Sequence, residues 1–134
     1  MDVIQLIGRL AFVAMFLNSG IAHFKNREGM AAYARSSGAP APELLVPASG
    51  AMIFVGGAFI ALGVWPDVGA LLIAAFLLPV AYFMHAFWKF DDPQTRQQQQ
   101  VHFMKNLSLF GAALVMFACF ADGHTGPALG GSLF

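Results

Sequence analysis

The stretch LLVPASGAMIFVGGAFIALGVW (residues 44–65), followed after Pro66-Asp67 by VGALLIAAFLLPVAYFMHAFWKF (residues 68–90), decides the fold of this chain. Each run is apolar and more than 20 residues long, which is enough for a helix to cross a bilayer core about 30 Å thick. A linker as short as Pro66-Asp67 forces the two helices to be antiparallel neighbours. The centre of the sequence therefore predicts a helical hairpin that spans a membrane.

Two further apolar runs flank this hairpin, so the sequence predicts four membrane helices in a single domain, residues 1–121. The fold class is an all-α integral membrane four-helix bundle with antiparallel neighbours. A Gly- and Pro-rich segment follows, and we expect it to be a flexible C-terminal tail. The predicted helices cover residues 3–24, 44–65, 68–90 and 101–121, and the tail covers residues 122–134.

The composition of the chain fits a lipid environment and excludes several functions. Of the 134 residues, 58% are hydrophobic and only 10% are charged, and seven basic side chains balance seven acidic ones. A nucleic-acid partner would require a basic surface, so we expect none. A single cysteine, Cys119, excludes an internal disulfide, and no metal-binding motif is present. The bilayer is thus the first predicted partner.

The basic residues predict the orientation in the membrane. They cluster in the first and third connections between the membrane helices, whereas the second connection and the tail contain none, and Arg9 lies in the first helix toward the opposite side. By the positive-inside rule both termini lie outside, and a bacterial inner membrane is the expected location. The first connection, residues 25–42, is either a short amphipathic helix at the interface or a polar loop. The third connection, residues 91–100, is predicted to be a solvated loop.

Polar side chains at membrane depth are the candidates for function, because burying one in lipid is costly unless it has a partner or a role. On the first helix, Arg9 and His23 share a face, and Arg9 is expected to contact a neighbouring helix or a polar cavity as a structural residue. On the third helix, Tyr82, His85 and Trp88 follow one another at intervals of one turn. These residues form either a binding surface or an interfacial aromatic belt with a snorkelling histidine.

The fourth helix begins with a second polar group. His102, Lys105 and Asn106 share one face, and the last two lie inside the apolar run. Snorkelling of Lys105 and a helix-to-helix bond from Asn106 are the structural alternative. Four antiparallel helices bring these groups to one side of the membrane. The predicted cofactor-binding layer comprises His23, Tyr82, His85, Trp88, His102, Lys105 and Asn106.

Four short motifs resemble the DoxX family of small four-helix membrane proteins. They are RLAFVAMFLNSGIAHF (9–24), GGAFIALG (56–63), HAFW (85–88) and HFMKNLSLFG (102–111). In that family a glutamate often precedes the Gly-Gly pair of the second helix by about four residues, but this chain has Ala51-Met52-Ile53 there. The resemblance implies a link to quinone or to membrane oxidoreductase complexes for some members and an assembly role for distant relatives.

Two main functions follow from these features. In the first, the polar layer holds a quinone head group, and a membrane or peripheral redox protein supplies the electrons, because no residue of this chain stores them. In the second, the protein is a non-catalytic scaffold or assembly factor that uses glycine-lined helix faces, although such glycines also pack helices within one bundle. Haem ligation by two of the histidines is a further alternative. Whether the protein is itself an enzyme stays open, and a homo-oligomer is compatible with the sequence.

Overall fold

The structure, a computed structural model, describes all 134 residues and contains only helices and their connections. Four of the helices are long and apolar enough to cross a membrane, and the remaining one lies in the first connection. The prediction of an all-α four-helix membrane bundle is confirmed. In chain order the elements are α1 (Asp2–Lys25), α2 (Arg27–Ser36), α3 (Pro42–Leu62), α4 (Pro66–Met84), a 3₁₀ turn (Phe87–Lys89) and α5 (Pro93–Ala121).

Consecutive membrane helices are neighbours, since α1 packs on α3, α3 on α4 and α4 on α5. All four contribute to one apolar core, which gives the bundle a single centre. The outer helices α1 and α5 are the least buried and present large apolar side chains outward, as lipid-facing helices do. The core residues are Val13, Phe16, Ile53, Ile60, Ala70, Ile73, Ala74, Leu77, Ala113 and Phe120.

Glycines allow the central helices to approach closely. A Cβ atom on Gly20 would lie 2.8 Å from the carbonyl oxygen of Gly50, where α1 crosses α3. A Cβ on Gly56 would lie 2.9 Å from the carbonyl oxygen of Gly69, where α3 crosses α4. No side chain fits at such distances, so the glycines are required for the packing. Between the two roles that the sequence left open for the α3 glycines, the structure uses Gly50 and Gly56 inside the bundle.

The third membrane helix ends earlier than predicted. Helix α4 continues through Pro79 but stops at Met84, and a 3₁₀ turn replaces the expected helix up to Phe90. Bonds from the Phe87 N–H to the His85 carbonyl and from the Tyr33 hydroxyl to the Met84 carbonyl satisfy groups that a longer helix would have paired. The turn also lets the Phe87 ring pack against α5.

The fourth membrane helix begins eight residues earlier than predicted, at Pro93 instead of residue 101. The Asp92 side chain accepts hydrogen bonds from the Thr95 amide, at 2.9 Å, and from the Thr95 hydroxyl, at 2.8 Å. Proline at the first helical position and aspartate before it are typical of a helix start. The glutamine-rich segment, expected to be a loop, therefore forms the first two turns of α5.

The C-terminal segment was expected to fray, but it folds back over one end of the bundle. The Leu129 and Gly130 amides donate to the carbonyls of Leu62 and Gly63, and the Trp65 amide donates to the Gly131 carbonyl. Backbone groups that the α3–α4 turn leaves unpaired provide these partners. Residues 125–134 are called the C-terminal strap below.

The first connection contains the amphipathic helix that was one of its two predicted forms. Helix α2 buries Ala31 and Ala34 against Val46 of α3. Its Arg35 forms an exposed ion pair with Glu43 at the start of α3. This short helix thus forms most of the first connection and packs against the start of α3.

Candidate functional site

A pair of histidines marks one end of the bundle. This end, called the loop side, holds residues 25–42 and 85–100, and the opposite end, called the tail side, holds the α3–α4 turn and the strap. At the loop side the rings of His85 and His102 stack with centroids 5.1 Å apart and planes 25° apart. Two of the predicted site residues, from different helices, are therefore brought into contact.

Gln99, which is not among the predicted site residues, forms a hydrogen bond with His85. The His85 Nδ1 atom lies 2.9 Å from the Gln99 Oε1 atom. An amide oxygen only accepts hydrogen bonds, so Nδ1 carries the proton and, in the neutral ring, Nε2 is a free acceptor. Gln99 was missed because its segment was assigned to a loop. The Asp92-Pro93 helix start was the signal that could have placed it on α5.

The stacked arrangement does not suit haem ligation. Two axial imidazoles must face one iron from opposite sides, with the iron between their nitrogens. The His85 and His102 rings instead lie side by side, nearly parallel, at stacking distance. The geometry of this pair therefore does not fit the haem alternative.

An aromatic cluster is formed by residues close in sequence to the two histidines. Trp88 packs against Tyr82, with ring centroids 5.8 Å apart, and against Phe103 of α5 at the same distance. Phe87 contacts Phe103 as well, at 5.5 Å. Trp88 nevertheless remains 45% exposed, so part of this residue is accessible to a ligand. The structure thus joins Tyr82 and Trp88 as predicted, through the 3₁₀ turn instead of a continued helix.

The two polar residues further along α5 have different environments. Lys105, one turn after His102, is exposed and forms no ion pair. Asn106 is buried, with 6% of its surface exposed. Lys105 is therefore available as a cationic donor at the bundle surface, whereas Asn106 faces the interior of the protein.

His23 does not join the histidine pair. Its Nδ1 atom lies 3.0 Å from the Val46 carbonyl oxygen and 3.2 Å from the Ser49 hydroxyl, both on α3. The His23 ring also packs edge-on against Phe76, with centroids 5.8 Å apart. Phe76 precedes His85 by nine residues, roughly 13 Å of helix rise. The contacts of His23 therefore hold α1 to α3.

The tail side contains a buried arginine. Arg9 is 3% exposed, and its guanidinium donates to the carbonyl oxygens of Ala61, at 3.2 Å, and Pro127, at 2.7 Å, and also to that of Thr125. Its Nε–H has no partner. The sequence placed Arg9 against a neighbouring helix or a polar cavity. In the structure it bonds to both α3 and the strap, and the strap contact was not foreseen.

A buried carboxylate holds the other end of the strap. Asp67 is fully buried, and its Oδ2 atom accepts hydrogen bonds from the Leu133 amide, at 2.8 Å, and the Phe134 amide, at 2.7 Å. Sequence reasoning treated Asp67 as a turn residue. Nothing local to Pro66-Asp67 indicates a partner more than 60 residues away, so this role could not be inferred from the turn.

Comparison with known proteins agrees with this architecture. The DoxX family model matches residues 4–86, well over half of the chain. The chain is also 29% identical over 114 residues to the inner membrane protein YphA of Escherichia coli (strain K12), and the match covers 85% of this chain and 81% of YphA. No solved structure matches the chain significantly. With four membrane helices and a family match over most of their length, this chain is an integral membrane protein that belongs to the DoxX family.

Proposed function

We propose that this protein is an accessory subunit of a quinone-linked oxidoreductase system and that the loop-side cluster receives the quinone head group. The observation that carries the proposal is the stacking of His85 on His102, with the half-exposed Trp88 three residues after His85. The cluster combines hydrogen-bonding groups and an aromatic face at the end of a membrane bundle. A quinone, whose polar ring lies near the interface and whose tail lies among lipids, matches this combination.

The donors and acceptors of the cluster fit both redox forms of such a ring. Lys105 offers a charged donor and His102 a ring nitrogen to a carbonyl oxygen, which only accepts. The free Nε2 atom of His85 accepts from a hydroxyl group, the donor that the reduced ring carries. Trp88 supplies the stacking surface. The residues therefore suit proton exchange with the ring at the edge of the membrane.

Electrons must come from another protein. The chain has one cysteine and no pair of residues that could form a redox disulfide. A membrane or peripheral redox protein that docks at the loop side would place its own electron donor near the cluster. The protein is thus proposed as a subunit and not as an oxidase by itself.

The scaffold alternative has less support. Gly50 and Gly56 are occupied in internal packing, and Gly63 contacts the strap. Gly111 of α5 is different, because it has open space around it. A partner or a second copy could pack there beside the exposed Ser108, one turn earlier, but residues 108–121 include no charged side chain to select one.

The proposal includes a bacterial inner membrane location, as the name of the relative YphA suggests, with both termini outside. Five Lys and Arg residues lie at the loop side, and Arg9 alone lies toward the tail side. A reporter fused after Phe134 should therefore be active outside the cytoplasm. If the reporter is active in the cytoplasm instead, the orientation is the opposite one, and the proposed proton exchange takes place at the other face of the membrane.

The decisive experiment measures binding of decylubiquinone to the full protein in nanodiscs. Lys105→Met removes the charged donor and keeps most of the stem volume, and it should weaken binding roughly tenfold while unfolding is unchanged. His102→Leu should act on the same property, with an effect that is not additive with the first, because both residues serve one bound group. Lys25→Met, which removes an exposed lysine at the end of α1, is the matched control and should bind as the parent does.

Two results would reject the proposal. If the parent protein shows no saturable binding of decylubiquinone, the quinone interpretation fails. If Lys105→Met, His85→Leu and His102→Leu all bind as tightly as the parent, the quinone binds elsewhere and the cluster has a structural role.

A further inference from the structure

At the tail side, the charge of Arg9 is buried without an opposite charge. Its three hydrogen-bond acceptors are neutral backbone carbonyls, and the ion pair in the structure joins Arg35 to Glu43 instead. A buried guanidinium gains much more from a charged oxygen than from a carbonyl. We propose that the surroundings of Arg9 form a binding site for an oxyanion, a carboxylate or phosphate group, which the C-terminal strap covers and occupies.

The geometry of the Arg9 side chain supports this assignment. Its Nε–H and one Nη2–H point in the same direction and can bind two oxygens of one oxyanion side by side. Nη2 already donates to the carbonyl oxygens of Pro127, at 2.7 Å, and Ala61, at 3.2 Å, while the buried Nε has no partner. The Nε half of an edge that can bind two oxygens is therefore unfilled.

The strap can leave this position at small cost in apolar contacts. Residues 127–131 are exposed, and Leu129 is 80% exposed. Gly126 has a φ of +66°, a backbone conformation that gives the chain a sharp bend next to the Arg9 contacts. Segments with few buried contacts and exposed backbone hydrogen bonds open most readily. The strap therefore has the properties of a displaceable cover.

Arg9 is the one Lys or Arg side chain at the tail side. The other six Lys and Arg residues lie at or near the loop side. The tail side carries the acidic residues Asp2, Asp67 and Asp122, and Asp67 is already bonded to the strap. An oxyanion that enters from this side would thus find its charged donor at Arg9. Its source is either the phosphate of an anionic lipid or a small anion from solution.

The test measures amide hydrogen exchange of the strap in the full protein in nanodiscs. Two probes are used: phosphatidylglycerol in place of phosphatidylcholine, and inorganic phosphate added to phosphatidylcholine discs. An oxyanion that takes the place of the carbonyls should speed exchange of the strap amides about tenfold. An effect of the lipid alone assigns a lipid ligand, and an effect of inorganic phosphate alone assigns a soluble one. Arg9→Gln should abolish either effect, and the exposed Arg27→Gln should not.

A second variant keeps the test decisive if Arg9→Gln does not fold. A Cβ on Gly63 would lie 2.5 Å from the Cβ of Ala128 but 3.3 Å from Arg9 Nη1, so Gly63→Ala should displace the strap more than it displaces Arg9. The φ of +68° at Gly63 strains an alanine there and lowers the melting temperature with or without a probe, so the readout is the response to the probe. With the effective probe, the concentration that gives the same rise in melting temperature should be about tenfold lower for Gly63→Ala than for the parent protein. Gly111→Ala, at a glycine in open space, is the matched control. If neither probe changes strap exchange in the parent or the melting temperature of Gly63→Ala, Arg9 is only a structural anchor and the proposal is wrong.

Discussion

The two ends of the bundle treat their polar side chains in opposite ways. At the tail side, Arg9 and Asp67 are almost fully buried and bond to the backbone of the strap, a segment distant in sequence. At the loop side, His102 and Lys105 are exposed, and His85 bonds to a single glutamine side chain. The same bundle thus has a covered polar end and an open one.

This difference separates groups that stabilise the fold from groups that are free to bind. A buried charged side chain with several hydrogen bonds contributes to stability, because its removal leaves the partner groups buried and unpaired. An exposed lysine contributes little to stability but keeps its donors available. We therefore expect substitutions at the tail side to change the free energy of unfolding, and those in the loop-side cluster to change ligand affinity.

The largest effect on stability should come from Arg9→Leu. The substitution removes the donors of three carbonyls and the bonds of the strap to α1, so the free energy of unfolding should fall by about 3 kcal/mol. Thermal unfolding in detergent measures this change. Arg27→Leu, at an exposed arginine of α2, is the control and should change it little. If both variants unfold alike, Arg9 does not anchor the strap and the contrast between the two ends disappears.

A smaller effect on stability is expected from His23→Leu. This variant separates the role of His23 from that of the histidine pair at the same end of the bundle. The loss of the bonds to Val46 and Ser49 should lower the free energy of unfolding by about 1 kcal/mol. Quinone affinity should not change, because His23 bonds to α3 and not to the histidine pair. His102→Leu should show the reverse pattern. A loss of quinone affinity in His23→Leu would extend the site toward α1, as the sequence suggested.

The smallest effect concerns the start of α5, which positions Gln99. Hydrogen bonds from the Thr95 amide and hydroxyl lower the pKa of Asp92. The Asp92 carboxylate therefore stabilises the helix start fully at pH values above its pKa in the unfolded chain, about 3.9. This stabilisation is lost as the pH falls through the lower pKa of Asp92 in the folded protein. Exchange of the Thr95 amide, corrected for its intrinsic pH dependence, should rise in that acidic range. Asp122→Asn should keep this rise and Asp92→Asn should remove it; a rise that persists in Asp92→Asn would contradict the assignment.

The sequence was sufficient for the membrane helices because hydrophobic length and the short Pro66-Asp67 linker are local signals. It failed at the end of α4, where the apolar run suggested a longer helix, and at the start of α5, where polarity suggested a loop. The hydrogen bonds of Asp92 cap the start of the helix, and the polar glutamines that follow extend it because glutamine is a good helix former. The absence of Gln99 from the predicted site follows directly from that error.

Side-chain partners far apart in the chain were harder to predict than the helices. Helical spacing placed Arg9 and His23 on one face but could not show that they contact different elements. The strap is rich in Gly and Pro, which is typical of flexible tails, and its hydrogen bonds to the α3–α4 turn use backbone groups that carry no residue signature. The pairing of His85 with His102 was predictable because antiparallel helices bring their neighbouring ends together.

The contrast between the open and the covered end is tested most directly by tryptophan fluorescence, because each end carries one tryptophan. Trp88 lies in the loop-side cluster and Trp65 beside the strap, and both are about half exposed. Quinones quench tryptophan on contact, so Trp65→Phe isolates the loop-side signal and Trp88→Phe isolates the tail-side signal. Decylubiquinone should quench Trp88 saturably and Trp65 only in proportion to its concentration in the membrane. Equal, non-saturable quenching of both tryptophans would contradict a quinone site at the loop side.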